Sequence, residues 1–263
     1  MDDKEVGRMW DENAEVWTKL SRMGLNVYRD EFNAPAFLSI LPDVKGLEGL
    51  DMGCGEGTDT RLLAKRGAQM TAIDVSERFI QYANEAEERE PLGIRYHVAS
   101  VWSIPFPNGR FDFVSATMSL MDIPQPERAI KEIFRVLKSG GFLQFSITHP
   151  CFDTPYRKWE DDARGRHIAA VVGDYFKEMN GEVEEWIFSF TPIELREKLR
   201  KFRIPRFTRT LSSWVNTLVD AGFIIERMLE PTASDETIKR FPHLEDTRII
   251  SHFLIVRCRK PRD

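Results

Sequence analysis

Cysteine is scarce in this chain. Cys54, Cys151 and Cys258 are the only three in 263 residues. They lie too far apart for a disulfide framework or the paired spacing of a zinc site. No grouping of Cys, His and acids has metal-ligand spacing, so no metal is expected. No run approaches the roughly 18 uninterrupted apolar residues of a membrane span. The opening Met1-Asp2-Asp3-Lys4-Glu5 is acidic and polar, unlike the basic and apolar segments of a secretory signal. A reducing cytoplasm is therefore the expected setting. Excess positive charge is also missing: 37 Lys and Arg stand against 42 Asp and Glu, a net charge of −5. That balance argues against wrapping nucleic acid. The local exception is the stretch 196–209, where Arg196, Lys198, Arg200, Lys201, Arg203, Arg206 and Arg209 face one acid, Glu197. It reads as a solvated helix face and strand edge, with an acidic or phosphorylated substrate, or RNA, as the sharper alternative.

Repeats and low-complexity segments are absent as well, so periodicity is the guide. From about Val6 to Leu41 the chain looks helical, with Trp10, Ala14, Trp17 and Leu20 on one stripe. Gly49 to Met52 then reads as a short strand entering a glycine-rich loop, and Thr58 to Lys65 as a helix stopped by Gly67. Strand and helix alternate onward: Gln69–Asp74, a helix capped by Ser76 and running to about Glu88, Ile94–Ala99, Phe111–Thr117, a helix from Pro126 to Leu137, and Phe142–Thr148. Such alternation predicts parallel βαβ units. The expected fold is α/β, a doubly wound, mostly parallel, seven-stranded Rossmann-like sheet with an N-terminal helical segment. Between about His149 and Thr208 the pattern breaks into an aromatic, mixed-charge stretch with strands at 183–190 and 202–210. This predicts a cap, inserted after the fifth strand over one edge of the sheet. A helix at Leu211–Ala221 and strands at Phe223–Leu229 and Ser251–Arg257 complete the chain. The expected division is a main domain of 1–148 with 209–263, and a cap subdomain of 149–208.

The loop Asp51-Met52-Gly53-Cys54-Gly55-Glu56-Gly57 carries the chemistry. Loops leaving the carboxyl ends of parallel strands form the ligand crevice of such sheets. Glycines there bend the chain and let a ligand approach the backbone. Asp74, ending the second strand, is placed to accept from both hydroxyls of a ribose. A dinucleotide site is the rival, but Thr58 stands where its G-x-G-x-x-G fingerprint needs the third glycine. Asp51 would also repel a pyrophosphate and favour an ammonium or sulfonium group. A cationic nucleoside fits better than NAD.

With these residues the sequence resembles the class I S-adenosylmethionine-dependent methyltransferases, in particular the small-molecule branch of the ubiquinone/menaquinone methyltransferases (methyltransferase type 11 domain). Leu50 to Gly57 matches the family's first motif, and the similarity implies S-adenosyl-L-methionine as cofactor, with S-adenosyl-L-homocysteine as product. It implies that Asp74 binds the ribose hydroxyls and that Val75 lies beside the adenine. Ser100-Val101-Trp102-Ser103-Ile104-Pro105-Phe106 matches a stretch that usually opens with aspartate; Ser100 replaces it here with a hydroxyl acceptor. Val101 is then a backbone contact to the adenine, and Trp102 a stacking partner. Thr117-Met118 matches the exit of the fourth strand toward the cofactor. Met121-Asp122 stands where the family often has two histidines, and Trp17 aligns with an aromatic that closes over the cofactor in relatives.

Methyl transfer is an in-line displacement that depends on positioning, and a base is needed only where the acceptor must lose a proton. His149, at the exit of the fifth strand, is a candidate base with a near-neutral titration. Its bland alternative is a loop histidine bonded to backbone. Asp122 is the second candidate. Of the cap aromatics, Trp159, Tyr175, Phe176, Trp186 and Phe188 form a small core of the insertion, with a few lining an apolar pocket for a small-molecule acceptor. Cys54 has no activating neighbour and reads as a packing residue. Two further functions remain: an RNA methyltransferase using 196–209, and a non-catalytic nucleoside-binding protein.

Overall fold

The structure is a computed structural model that describes residues 1–262. Helix α1 (Asp3–Arg22) opens on a capping box in which Asp2 and Glu5 each accept the other's backbone N–H. The single helical stretch expected to Leu41 is broken. Gly24 adopts a φ of 73°, which ends α1, and helix returns only as a π turn over Arg29–Asn33 and as α2 (Ala34–Ser39). The alternating elements follow as β1 (Glu48–Met52), α3 (Thr58–Lys65), β2 (Gln69–Asp74), α4 (Glu77–Arg89), β3 (Arg95–Val98), β4 (Phe111–Thr117), α5 (Pro126–Val136) and β5 (Leu137–Thr148). The insertion holds β6 (Tyr156–Asp161), β7 (His167–Gly173), β8 (Asn180–Trp186), α6 (Ile193–Arg196) and β9 (Phe202–Phe207). Then come α7 (Leu211–Asp220), β10 (Ile224–Leu229), α8 (Asp235–Arg240) and β11 (Phe253–Arg259).

Seven strands form one sheet in the order β10-β11-β5-β4-β1-β2-β3. The five strands β1 to β5 pair in parallel, and β11 runs antiparallel to β5 and β10. Strand alternation sorts the side chains to two faces. Leu50, Met52, Val114, Leu143 and Phe145 pack under α5 and α7, while Met70, Ala72, Phe113 and Phe142 pack under α3 and α4. The second face also carries a buried polar row, Asp51, Ser115 and Gln144, in register across β1, β4 and β5. Strand order reverses between β1 and β4, so the loops leaving their carboxyl ends diverge and open a crevice.

The insertion covers that crevice rather than an edge of the sheet. β5 lies inside the sheet between β4 and β11, so the chain leaving it emerges among the strand ends. Two antiparallel hairpins, β6–β7 and β8–β9, build the cover. The β8 strand stops at Trp186 instead of continuing to 190. Hairpin β6–β7 leaves no signal in the sequence, because its residues are mostly exposed and carry no apolar alternation. α1 anchors the cover: Asn13 Nδ2 donates to the Arg203 carbonyl at 2.9 Å, and Arg203 N donates back to Asn13 Oδ1 at 3.0 Å. The same helix reaches the sheet, where Asp11 accepts from Ser76 Oγ at 2.6 Å. Among the described residues no helix is long and apolar enough to cross a membrane.

Candidate functional site

One cavity of about 770 Å³ lies between the carboxyl ends of the strands and the insertion. At one end it meets the glycine loop. Gly55 has a φ of 54° and open space where a Cβ would stand, so it alone of the loop glycines presents bare backbone outward. Gly57 serves packing instead: its φ is 86°, and a Cβ would meet the Tyr96 hydroxyl at 2.6 Å. Gly53 is pressed in the same way against Ser119. Gly57 is accordingly absent from the cavity wall, whereas Asp51, Gly53, Cys54 and Gly55 are on it.

Asp74 ends β2 with its carboxylate held by the loop it faces. Gly55 N donates to Oδ2 at 2.8 Å and Ser76 N to Oδ1 at 2.9 Å. Burial outweighs those bonds and raises its pKa to about 6. Asp51 is buried beneath the loop, accepting from Thr60 Oγ1 at 2.5 Å and Ser115 Oγ at 2.7 Å, and burial pushes its pKa up as well. Two charged groups here escaped the sequence reading. Arg29 lines the cavity and donates to Glu56 Oε1 at 2.9 Å, and Asp59, also on the wall, is pushed by burial to about 7. No motif flags Arg29, because its link to the loop runs through the tertiary fold. Asp59 reads in sequence as an ordinary first-turn helix acid.

Val75, Ser100, Val101 and Trp102 line the adjoining wall. Ser100 Oγ accepts from Trp102 N at 3.1 Å, a turn bond within its own loop. The Trp102 ring is fixed from outside: Nε1 donates to the Gln125 carbonyl at 3.2 Å and the Arg128 guanidinium lies 4.4 Å from the ring centre. Beyond β4, Thr117 and Met118 face the cavity, and Met118 takes a φ of 53°, unusual for a residue with a Cβ. Its N–H donates to the Ser146 carbonyl at 2.9 Å, which holds the turn.

Under the insertion the wall changes character. Trp17 sits on it, with ring centres 4.8 Å from Phe188 and 4.9 Å from Phe202. Trp186, Phe188 and Tyr175 also line the cavity, whereas Trp159 stacks on His167 at 4.5 Å and Phe176 is exposed, both away from it. Asp122 lies on the wall, and its carboxylate has no hydrogen bond or ion pair among the described residues. Burial, and then Asp153, push its pKa up to about 8 against the pull of Arg206. Arg206 itself is matched by Asp153 at 3.0 Å and Glu184 at 2.9 Å.

His149 is not on the wall. Thr148 and Pro150 are, but the intervening ring turns away and is buried, with Nε2 2.7 Å from Glu230 and Nδ1 accepting from Cys151 N at 3.2 Å. Alternation at the end of β5 explains the reversal, since neighbours along a strand point to opposite sides. Burial raises the thiol of Cys54 well above its ordinary range, so it offers no thiolate at neutral pH.

The comparisons with known proteins agree with this geometry. Residues 50–145 match a family model described as a methyltransferase domain. A Haemophilus influenzae protein described as uncharacterized is 26% identical over 230 residues, 84% of each chain. A ubiquinone biosynthesis O-methyltransferase of Coxiella burnetii is 37% identical over 109 residues, 41% of this chain and 47% of its own. The match thus spans about half the length of that relative. Among solved structures, an S-adenosylmethionine-dependent methyltransferase from Mesorhizobium loti superimposes with a TM-score of 0.69 at 27% identity, covering 86% of this chain and 96% of its own.

Proposed function

The chain belongs to the class I S-adenosylmethionine-dependent methyltransferases, and from that premise we propose that it methylates a small, partly apolar acceptor held beneath the 149–208 cap. The observation that carries this reading is a single cavity shared by the glycine loop and the aromatic insertion. When bound, S-adenosylmethionine supplies an electrophilic methyl on a sulfonium, with an ammonium and a carboxylate at its amino-acid end.

The residues at the loop end suit such a group. Asp51, Glu56, Asp59 and Asp74 line the wall beside the loop, and burial raises the pKa values of Asp59 and Asp74 to about 7 and about 6, so that a cation bound there would favour their ionised forms. Arg29 is the cation there: its Nε and Nη1 are taken by Asp30 and Glu56, and Nη2 would suit the donor's carboxylate, while Asp74 has lone pairs for ribose hydroxyls beyond its two backbone bonds. Gly55 admits close approach of a ligand to the backbone. Val75, Ser100 and Val101 form the wall for the base.

The cap residues 149–208 act as the acceptor's cover, with Trp17, Trp186 and Phe188 excluding water from the reacting end. Asp122 is the residue placed to take a proton from a hydroxyl acceptor; the O-methyltransferase relative favours that acceptor chemistry. His149 has no such part, being turned from the cavity. The RNA reading loses its footing, because Arg200, Arg203 and Arg206 of the basic stretch are engaged by acids of this same chain. Calorimetric titration with S-adenosylmethionine tests the proposal. Saturable binding is expected, and no heat at about millimolar cofactor, a binding energy of only about 4 kcal/mol, would sink it.

A further inference from the structure

The basic stretch 196–209 comes apart in the fold. Arg196 donates to the carbonyls of Thr191 and Ser189. Arg200 pairs with Glu12 at 2.6 Å, Arg203 with Glu185 at 3.5 Å, and Arg206 with two acids. Arg209 alone among these arginines lines the cavity with neither an ion pair nor a full set of bonds: Nη2 donates to the Pro124 carbonyl, and Nη1 is buried with no partner among the described residues. The other cavity arginines are matched, Arg29 by Glu56 and Asp30, and Arg157 by Asp153.

A largely buried guanidinium without a carboxylate is a costly arrangement, because desolvation is not offset by a neighbouring charge. Burial accordingly pulls the Arg209 pKa down, with Glu127 and Glu178 only partly opposing. Its ring neighbour, Trp214, is 6.0 Å from the guanidinium carbon, at the outer limit of a cation–π contact, and supplies no counter-charge.

We propose that Arg209 recognises a carboxylate on the methyl acceptor, so that the substrate class is an apolar or aromatic monoanion. This rests on the small-molecule methyltransferase reading. One unmatched positive charge fits one negative charge. A phosphate dianion would leave its second charge unmatched, because the neighbouring Arg206 is already engaged by Asp153 and Glu184. The donor's own carboxylate has Arg29 beside the glycine loop, whereas Arg209 is tied to the loop after β4. The planar fork of a guanidinium suits a carboxylate better than an ammonium would.

The test is calorimetry on the full chain in two steps. S-adenosylhomocysteine is titrated first, into wild type and Arg209→Gln; equal affinity is expected, and a loss confined to the variant would reassign Arg209 to the donor and overturn the proposal. Failure of wild type to bind it would instead break the donor reading. The saturated protein is then titrated with 4-hydroxybenzoate, 4-hydroxyphenylacetate and 4-hydroxycinnamate, and with the amide of each. At least one carboxylate should bind about tenfold more tightly than its amide, as a charge-assisted bond provides. Arg209→Gln should abolish that preference and Arg209→Lys should keep part of it. No carboxylate binding, equal binding of acid and amide, or a preference that survives in Arg209→Gln would each overturn the proposal.

Discussion

Around the glycine loop, Asp51, Glu56, Asp59 and Asp74 line the wall with one guanidinium, Arg29, which pairs with Glu56; under the cap, Arg157, Arg206 and Arg209 line it with Asp122, Asp153 and Glu184 among aromatic rings. The first region is acidic and built mostly from β1, β2 and the turns that leave them. Asp74 is fixed there by the backbone N–H groups of Gly55 and Ser76, and Asp51 by the hydroxyls of Thr60 and Ser115. The second is assembled from distant segments, such as Asn13 with Arg203 and Arg209 with Pro124. A single donor molecule needs one fixed cradle, whereas an acceptor pocket is shaped by whichever acceptor it holds. The contrast explains why the donor is readable from motifs and the acceptor only from tertiary contacts.

Breaking the acceptor end should have the largest effect. Asp122→Asn is expected to lower kcat by roughly 10²–10⁴-fold, the range for loss of a general base, with S-adenosylhomocysteine affinity unchanged. Because burial raises the Asp122 pKa to about 8, a base there is half ionised at that pH, so wild-type kcat should climb with pH through 8 and level off about one unit above it. A flat profile from pH 6 to 9 would remove Asp122 from the chemistry. Loosening the cap comes next. Asn13→Ala deletes both bonds to the Arg203 backbone and should cost about 1–3 kcal/mol in urea unfolding, raising acceptor KM more than donor Kd.

Donor binding should carry the signature of Asp74. Its folded pKa, about 6, lies above its ordinary 3.8, so protonation favours the fold at low pH and that contribution is lost as pH rises through 6. If ribose hydroxyls donate to the ionised carboxylate, as proposed, donor affinity should weaken by up to about tenfold per unit below pH 6 and hold above it. Performing the titration in Asp59→Asn removes the neighbouring group that ionises near 7. The smallest effect is expected of His149→Gln. Kcat should stay within about threefold of wild type, with a stability loss near 1 kcal/mol for the Glu230 and Cys151 contacts.

What the sequence disclosed follows the same divide. Thr58–Lys65, Gln69–Asp74 and Phe111–Thr117 are read to the residue because glycine stops and nearly continuous buried runs mark them. Asp51, Gly55 and Asp74 come together on the wall because parallel pairing of β1 and β2 brings their ends together. Gly57 supports the loop by packing on Tyr96, a contact that motif spacing does not reveal. His149 illustrates a finer limit: its place in the chain is beside the cavity, but strand alternation points it out. Arg29, Asp59 and Arg209 were not distinguishable from surface charges until the fold showed which acids each meets.

The central claim is that one cavity holds separate donor and acceptor ends, and it is tested most directly by titrating S-adenosylhomocysteine into Asp74→Ala beside Asp122→Asn. Asp74→Ala should lose roughly 1–3 kcal/mol of affinity, about 5- to 150-fold, while Asp122→Asn stays within about twofold of wild type. Unchanged affinity in Asp74→Ala, or an equal loss in both variants, would contradict the division.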